Sequence, residues 1–305
     1  MRTSDKFLDR TVGRIKNTSM KIEKVWDAAD GSATPGRVFT ASIAQEAIPN
    51  SGEELSYLKM GVKGAVSTAA VALEAFAAVM APFTLRQGPD NKIVLNLDEL
   101  VALMAFYYKE LPSCGENTDA TGNDFLGGIK IPVYTKADSA KQFLAQADRS
   151  AVTNIGTETV ALSAYWDVGE ANRKPIHAVR IAHTTAGSAG VETLGARIVP
   201  EGKLVGLIIK EANGFTDANI DVSVQRVKIL ANGRKVAEFN NLADHTPVEI
   251  EDYVTPLPIA DLLRQFRFFD LRPAGLDAKG QELTIQIDVQ DVSDAIVIIP
   301  VIEQE

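Results

Sequence analysis

Few residues in this sequence have the types and spacing that chemistry requires. Asp119, Asn123 and Asp124 lie in a glycine-rich stretch, residues 115–128, where carboxylate and amide oxygens could hold calcium. That stretch lacks the spacing and the closing Glu of an EF-hand loop. Because Asp, Asn and Gly also dominate solvated turns, we favour an ordinary surface loop, with a weak calcium site as the alternative.

The histidines and the single cysteine form no catalytic or metal-binding pattern. His177 and His183 are six residues apart, and His245 lies far from both. Cys114 has no neighbouring His or basic residue to activate it, which favours a buried or incidental thiol. The sequence also lacks a nucleophile elbow, a phosphate-binding loop and an H-E-x-x-H motif. We therefore expect no enzymatic activity and no cofactor other than the calcium candidate.

Charge limits the possible partners. The formal net charge is −9 and the pI is about 5.0. This argues against general or sequence-specific nucleic-acid binding, because neutralising phosphates needs clustered Lys and Arg. Residues 1–24 are the exception, since their net charge is +4 and the rest of the chain carries −13.

This basic N-terminal segment also has apolar residues at helical spacing. Its candidate membrane-facing residues are Arg2, Lys6, Arg10, Arg14 and Lys16. One interpretation is a solvated tail. The other is an arm that lies on anionic lipid or nucleic acid, as basic amphipathic segments can.

Length and composition predict a soluble, folded protein. The chain has 305 residues, of which 46% are hydrophobic and 23% charged, and this is enough for two domains of ordinary size. The sequence has no apolar run long enough to span a bilayer and no apolar core of a secretory signal. We expect it to be made in the cytoplasm of its host.

Residues 219–239 predict a β-hairpin. Two β-branched runs flank Asn232 and Gly233, the dipeptide that best supplies both positive φ angles of a type I′ turn. The apolar phase of the first arm changes beside Gln225 and Arg226. A strand cannot change its buried face without an extra residue, so we expect a bulge there.

A weaker copy of this hairpin occurs earlier in the chain. Aligning Gly88 with Gly233, an offset of 145, matches both arms and the Asn-Leu that follows each. Three further pairs of segments recur in the same order: 99–108 with 261–269, 129–133 with 285–289, and 159–162 with 295–298. The first pair reads as a helix start followed by a strand with an aromatic cluster. Four elements in one order indicate a duplicated β-domain.

The stretch from residue 62 to residue 85 permits two structures. Its alanine content and a stripe of apolar residues at helical spacing favour a helix. Strict alternation from Val71 to Leu85 favours a strand. Because of the repeat, we expect a strand from Val71 onward.

Segments rich in small residues divide the chain. We predict four parts: a basic arm (1–35), a first β-unit (36–168), a connecting segment (169–197) and a second β-unit (198–305). Continuous apolar runs at 204–209 and 295–302 suit strands that are covered on both faces. Short strands with long, uneven loops fit a Greek-key sandwich or jelly roll better than a meander.

Together these features resemble the double jelly-roll major capsid proteins. The likeness rests on four segments: 224–239 with Asn241-Leu242, 266–269, 271–273 and 283–289. The chain resembles most the coat proteins of tailless, membrane-containing icosahedral phages such as the corticoviruses, with tectiviruses and finnlakeviruses more distant. The second β-unit carries the likeness directly, and the first carries it through the repeat.

The resemblance implies an all-β fold of two tandem eight-stranded jelly-roll barrels, with short helices in the loops. It implies a structural protein that forms pseudo-hexameric homotrimers, which tile an icosahedral virion capsid over an internal membrane. The implied partners are neighbouring trimers, minor capsid or vertex proteins, and membrane lipids that the basic arm would contact.

Three other classes compete with this interpretation. A β-sandwich module could bind carbohydrate or attach to a host, although Trp26 and Trp166 offer little aromatic surface for sugars. A cupin-like enzyme would need a set of metal-binding histidines. A minor capsid or vertex protein is the alternative within the viral class.

Overall fold

The computed structural model describes most of the chain, in the ranges 21–30, 38–43, 53–66, 76, 80–115, 123–138, 140–149, 155–168, 173–198, 201–211, 224–240, 243–244, 257–277, 279–290 and 295–304. The strands with described bounds are β1 (Lys21–Asp30), β2 (Val38–Ile43), β3 (Glu54–Val66), β4 (Met80–Gln87), β5 (Asp90–Leu95), β6 (Ser113–Gly115), β7 (Asn123–Lys136), β8 (Phe143–Arg149), β9 (Ile155–Trp166), β10 (Ile176–Val179), β11 (Ile181–Thr184), β12 (Gly190–Ile198), β13 (Gly202–Glu211), β14 (Val224–Ala231), β15 (Arg234–Asn240), β16 (Phe266–Asp270), β17 (Leu276–Asp277), β18 (Leu283–Val289) and β19 (Ala295–Gln304). The helices are α1 (Leu97–Tyr108) and α2 (Leu257–Arg264). Neither has the length and apolar character needed to cross a membrane.

The strands form three sheets. A five-stranded sheet has the order β1-β9-β3-β7-β6, and a four-stranded sheet has the order β12-β18-β14-β15. The third sheet has ten strands. Its main path is β16-β13-β19-β10-β5-β4-β8-β2, with β11 also paired to β19 and β17 to β13.

Strand order divides the chain into two units of one topology. In the first unit, β1 to β5 and β7 to β9 take positions one to eight, and its two sheets run 1-8-3-6 and 2-7-4-5. In the second unit, β10 and β11 share position one, and β12 to β16, β18 and β19 follow. Its sheets run in the same two orders. This is jelly-roll topology, so the predicted fold of two tandem eight-stranded jelly rolls with short helices is confirmed.

The two units share the ten-stranded sheet and use opposite faces of it. Strand β10 joins them, because Ala178 pairs in parallel with Ile93 of β5 and antiparallel with Val301 of β19. These three residues lie on one face and belong to the core that fills the first unit. On the other face, Ile298 and Ile302 belong to the separate core of the second unit. Strand β19 is therefore covered on both faces, as predicted.

The predicted hairpin is confirmed in its details. Asn232 and Gly233 have φ angles of 48° and 78°, as a type I′ turn requires. The pairing of β14 with β18 shifts register between Val224 and Arg226, which is the predicted bulge.

The earlier copy of the hairpin has the same register. Leu85 pairs with Ile93 in β4 and β5, and Ile229 pairs with Ala237 in β14 and β15. Both pairs are 144 positions apart in sequence. The structural offset is thus 144, one less than the offset of 145 that the sequence alignment indicates.

The prediction that residues 169–197 only connect the units is wrong. The described part of this segment contains β10, β11 and most of β12, which fill the first two strand positions of the second jelly roll. Strand β11 pairs with β19, and β12 pairs with β18. Strands β10 and β11 have four residues each, too few for a sustained alternation to appear in the sequence.

Two strand predictions in the first unit are also wrong. Phe76 is helical and fully buried, and β4 begins only at Met80, because alanine-rich sequence favours helix. The aromatic residues Phe106, Tyr107 and Tyr108 lie in α1 rather than in a strand. The predicted pairs 99–108 with 261–269 and 129–133 with 285–289 are therefore not counterparts. By strand position, β7 corresponds to β16 and β8 corresponds to β18.

Candidate functional site at the junction of the two units

The predicted ligand residues are not brought together in the described part of the chain. Asp119 lies outside the described residues, as do the five basic residues of the arm, Arg2, Lys6, Arg10, Arg14 and Lys16. Asn123 and Asp124 lie in β7 rather than in a loop, and Asp124 is fully buried. Among the described residues, no group of three or more His, Cys, Asp or Glu side chains could hold a metal ion. The calcium site stays a prediction.

The described histidines lie on different strands. His183 Nε2 is 2.6 Å from Glu192 Oε2, so the pair links β11 to β12. His177 lies in β10, where burial lowers its pKa and the charge of Lys92 acts in the same direction. His245 lies outside the described residues. Cys114 is half-buried in β6.

The site that the structure does organise lies between the two units, around α1. This helix begins where the Glu99 carboxylate accepts a hydrogen bond from the Asn96 backbone N–H at 2.9 Å, half of a capping box. Leu, Ala and Met, which favour helix, fill much of its body. Every residue from Leu97 to Tyr107 is buried. A helix that is buried all round needs cover from several elements, and both units supply it.

The aromatic end of α1 docks on the second unit. A Cβ at Gly206 of β13 would overlap Cζ of Phe106. The Phe106 ring also stacks on Phe268 of β16, with centroids 6.3 Å apart. Gly206 therefore leaves the space that the ring occupies, and this space brings α1 against β13.

Two ion pairs hold the first turn of α1. Asp98 Oδ2 lies 2.5 Å from Lys210 Nζ of β13. The side chain of Glu99 is fully buried, and Arg180 Nε donates to its two oxygens at 3.0 and 3.1 Å. Arg180 lies between β10 and β11. Strand β10 pairs with both β5 and β19, whereas β11, among the described residues, pairs with β19 alone. Acidic residues at a helix N-terminus also compensate the helix dipole.

Glu99 depends on Arg180 for its charge. Burial raises the pKa of Glu99, and the neighbouring carboxylate of Asp98 raises it further. The hydrogen bonds and the positive charge of Arg180 act in the opposite direction. Removing one partner of such a pair leaves an uncompensated charge in the core.

Arg272 of the second unit holds the other end of α1. Its Nη2 atom donates to the Phe106 carbonyl oxygen at 3.0 Å and to Asp270 Oδ2 at 2.6 Å. Its guanidinium carbon lies 4.6 Å from the centroid of the Phe106 ring. Burial alone would raise the pKa of Asp270, but the hydrogen bonds from Arg272 and the charge of Lys109 lower it overall. A cation is also favoured at a helix C-terminus.

These contacts give the two units one relative orientation. An apolar centre is closed at each end of α1 by charged side chains that have defined partners. The arrangement contains no pair of nucleophile and base. Its contacts hold the two units in a fixed relative orientation. The sequence analysis did not predict this junction. The acidic pair Asp98 and Glu99 and the glycine within the apolar run of β13 were the signals that could have indicated it.

Comparison with known proteins identifies the fold. Neither protein-family models nor curated protein sequences match the chain. Among solved structures, the major capsid protein of STIV aligns with a TM-score of 0.63 and 11% identity, over 93% of this chain and 96% of that one. The chain has the double jelly-roll fold.

Two more solved structures share the double jelly roll. The major capsid protein P2 of bacteriophage PM2 aligns with a TM-score of 0.55 and 11% identity, over 93% of this chain and 97% of that one. PBCV-1 VP54 aligns with a TM-score of 0.53 and 10% identity, over 93% of both chains. With 93% of this chain covered, the alignments span both jelly rolls.

The tryptophan considered for sugar stacking is part of the core. Trp166 is fully buried and lies edge-on to Phe143, with ring centroids 6.1 Å apart. It cannot stack on a ligand without unfolding of the first jelly roll. Trp26 lies in β1.

Gly206→Ala is expected to lower the free energy of unfolding by about 1–3 kcal/mol, because the added methyl group overlaps the Phe106 ring in a closed core. Urea denaturation measures the change. In a cycle with Phe106→Leu the two losses should not add, since the smaller side chain leaves room for the methyl group. Gly61→Ala is the control, because a Cβ there meets nothing closer than 3.9 Å. Equal losses at both glycines would contradict the docking role of Gly206.

Arg180→Met is expected to cost about 3–5 kcal/mol at pH 7, because it leaves the buried Glu99 carboxylate without its partner. The pKa of Glu99 in the folded variant then rises further above its ordinary value of 4.5. A raised pKa gives stability that is present at low pH and lost as pH rises, so the deficit should shrink as pH falls toward 4.5. Adding Glu99→Gln should recover part of the loss at pH 7.

The control for Arg180→Met is Arg226→Met. Arg226 is exposed and pairs with Glu238 at 3.6 Å on the surface, where removal of an ion pair costs about 1 kcal/mol or less. Denaturation curves between pH 4.5 and pH 8 compare the two variants. A deficit at Arg180 that does not depend on pH would show that Glu99 is not the group affected.

Proposed function

We propose that this chain is a viral major capsid protein. Three copies form a homotrimer of pseudo-hexameric outline, and trimers tile an icosahedral capsid over an internal lipid membrane. The observation that carries the proposal is the double jelly roll itself, whose two halves are joined by a buried helix and shared strands. Two of the aligned structures with this fold are major capsid proteins, those of STIV and of bacteriophage PM2. The work of such a protein is assembly, with neighbouring trimers and minor capsid or vertex proteins as further partners.

The position of Lys21, where β1 begins after residues 1–20, supports the membrane part of the proposal. We call the end of the molecule where β1 begins the arm end. Lys21 pairs there with Trp166, and Gly202 of the second unit pairs with Gln304 at the same end, because β5 and β10 are parallel. Exposed or half-exposed basic side chains of the second unit lie at this end, namely Arg173, Lys174, Lys203, Arg234, Lys235 and Lys279, alongside exposed acidic residues such as Asp90, Glu201 and Asp277. Anionic lipid headgroups attract such residues.

The segments that join strand ends at the opposite end are acidic in sequence. Five of them, residues 67–79, 116–122, 212–223, 241–256 and 291–294, have only Asp or Glu as charged residues, whereas the segment 31–37 between β1 and β2 carries Arg37. An acidic end is repelled by an anionic membrane surface, whereas residues 1–24, with a net charge of +4, are attracted to it. We infer that the arm end faces the membrane, with calcium binding near Asp119 as a separate proposal on the acidic end.

The native mass tests the assembly proposal. Three chains of 32.8 kDa give about 98 kDa, and a cyclic trimer should keep this mass over a range of protein concentrations because its contacts are closed. Light scattering after size separation measures it. A monomer of about 33 kDa at all concentrations and salt levels would contradict the proposal and favour a β-sandwich binding module instead.

Deleting residues 1–20 tests the arm. The deletion leaves β1 intact and should not change the native mass, but it should weaken binding to phosphatidylglycerol vesicles by at least about tenfold at low salt, since each basic residue near the surface contributes about 1 kcal/mol. The full-length control replaces Arg2, Lys6, Arg10, Arg14 and Lys16 with Gln and should lose binding to the same extent. Vesicle binding that is unchanged and insensitive to salt would rule the arm out.

A further inference from the structure

Strand β10 joins the two jelly rolls through a short stretch of parallel pairing with β5, which we call the strand joint. It has two residue pairs, of which the first joins Ala178 to Ile93. Extending this register by one residue toward the start of β10 places His177 beside Lys92. On its other side, His177 pairs with Ile302 of β19. A titratable imidazole therefore lies on the strand that both sheets share, next to the strand joint.

The imidazole of His177 lies on the face of the sheet that belongs to the second unit. Side chains alternate along a strand, so His177 points away from the side of Ala178, which is part of the first unit's core. Its partner Ile302 is part of the second unit's core. His177 is half-buried beside that core. Burial removes part of the hydration of the ring and so disfavours its charged form.

The side chain of Lys92 crosses the shared strand on the same face. Lys92 extends from β5, and its Nζ atom donates a hydrogen bond to Gln304 Oε1 of β19 at 3.0 Å. Because β10 lies between β5 and β19, this side chain passes over β10 and its charge acts on His177. Gln304 is two residues after Ile302 and shares its face, whereas Glu303 lies on the opposite face. A positive charge thus already bridges the two units beside the imidazole.

The other charges that act on His177 are exposed carboxylates. Asp90 of β5 and Glu201, just before β13, favour a positive charge on the ring, as does a hydrogen bond with the Asn91 backbone. Both carboxylates are exposed, so water and salt screen them. Burial is the largest influence, and together with the charge of Lys92 it lowers the pKa of His177 below its ordinary value of 6.5.

We propose that the strand joint is acid-responsive. Protonation of His177 places a second positive charge beside Lys92, so the pairing of β5 with β10 loosens and the two jelly rolls lose their fixed orientation. The inference goes beyond the proposed capsid function and does not depend on it, since the step takes place within one chain. In the proposed capsid, acid would loosen every subunit by this same step.

The direction of the pH dependence follows from which state binds the proton more tightly. When the joint is open, the pKa of His177 returns toward 6.5, whereas in the folded chain it is lower. The open state therefore takes up the proton first as pH falls. The stability that His177 contributes is complete above pH 6.5 and is lost as pH falls through the folded-state pKa. One proton can change the opening equilibrium by at most about tenfold per pH unit.

His183 offers a matched control because its charge has a partner. Its Nε2 atom lies 2.6 Å from Glu192 Oε2, so protonation of this ring creates an ion pair rather than a repulsion. The two residues lie on β11 and β12 of the second unit, outside the strand joint.

His177→Gln tests the proposal in the full-length chain. Glutamine keeps a hydrogen-bond donor but takes up no proton. In the wild type, amide hydrogen exchange of residues 90–95 and 176–179, corrected for the intrinsic effect of pH, should become at least about threefold faster between about pH 7.5 and pH 5.5. Exchange in β14 and β18 should not change. The acceleration should be absent in His177→Gln, and peptide-resolved mass spectrometry measures it.

Two further variants separate the repulsion from other effects of acid. Lys92→Gln should reduce the acceleration, because the folded-state pKa of His177 then lies nearer its ordinary value. His183→Gln should keep the full acceleration of the wild type. Only the change with pH is compared, so a variant of lower overall stability still gives an answer. If His177→Gln does not fold, the result for Lys92→Gln decides.

The possible results bear on this proposal and on the capsid function separately. An acceleration that persists in His177→Gln, that Lys92→Gln leaves unchanged, or that is equally large in β14 and β18 overturns the acid-responsive joint. An acceleration confined to the strand joint, absent in His177→Gln and retained in His183→Gln, supports it. The native mass tests the capsid function independently, because a monomer and a trimer would show the same response at the strand joint.

Discussion

The arrangement of this molecule depends on one strand that two jelly rolls share. Strand β10 completes the sheet of the first unit at β5 and that of the second at β19, so neither sheet ends at the boundary between them. Because a sheet has two faces, the units then lie on opposite sides of it. This leaves part of one face uncovered over β19, β13 and β16, and α1 fills that place. The helix is thus required by the sheet, and its buried charges follow from the need to end it inside the protein.

The polar contacts of the junction add orientation rather than much net stability. A buried ion pair such as Glu99 with Arg180 loses hydration on both sides, so its net contribution is small, while loss of one partner is costly. Gly206 and Phe106 fix the position along β13, and Arg272 fixes the far end of α1. Three kinds of contact at separate points determine an angle that apolar packing alone would leave adjustable. The proposed capsid lattice would need that angle to be the same in every copy.

The sequence predicted those elements whose signals are local. The Asn232-Gly233 turn, the bulge before Arg226 and the buried aromatic strand at Phe266 follow from backbone preferences and alternation, and the structure confirms them. Predictions from the sequence were wrong where tertiary contacts determine the secondary structure. Strands β10 and β11 are too short to show a period, and the aromatic residues of α1 resemble strand residues when only their types are considered. The junction itself could not be predicted, since Arg180 and Glu99 are 81 residues apart and become partners only through the shared sheet.

The position of β19 has a consequence for synthesis. This strand follows every other described strand in the chain, yet it lies in the interior of the ten-stranded sheet, between β13 and β10. A nascent chain can pair the strands of its first jelly roll while the ribosome is still translating, but the shared sheet and both cores stay incomplete until β19 emerges. A product truncated before residue 295 would expose two interior strand edges that readily recruit other chains. The fold therefore makes synthesis of residues 295–304 a condition for closing the shared sheet.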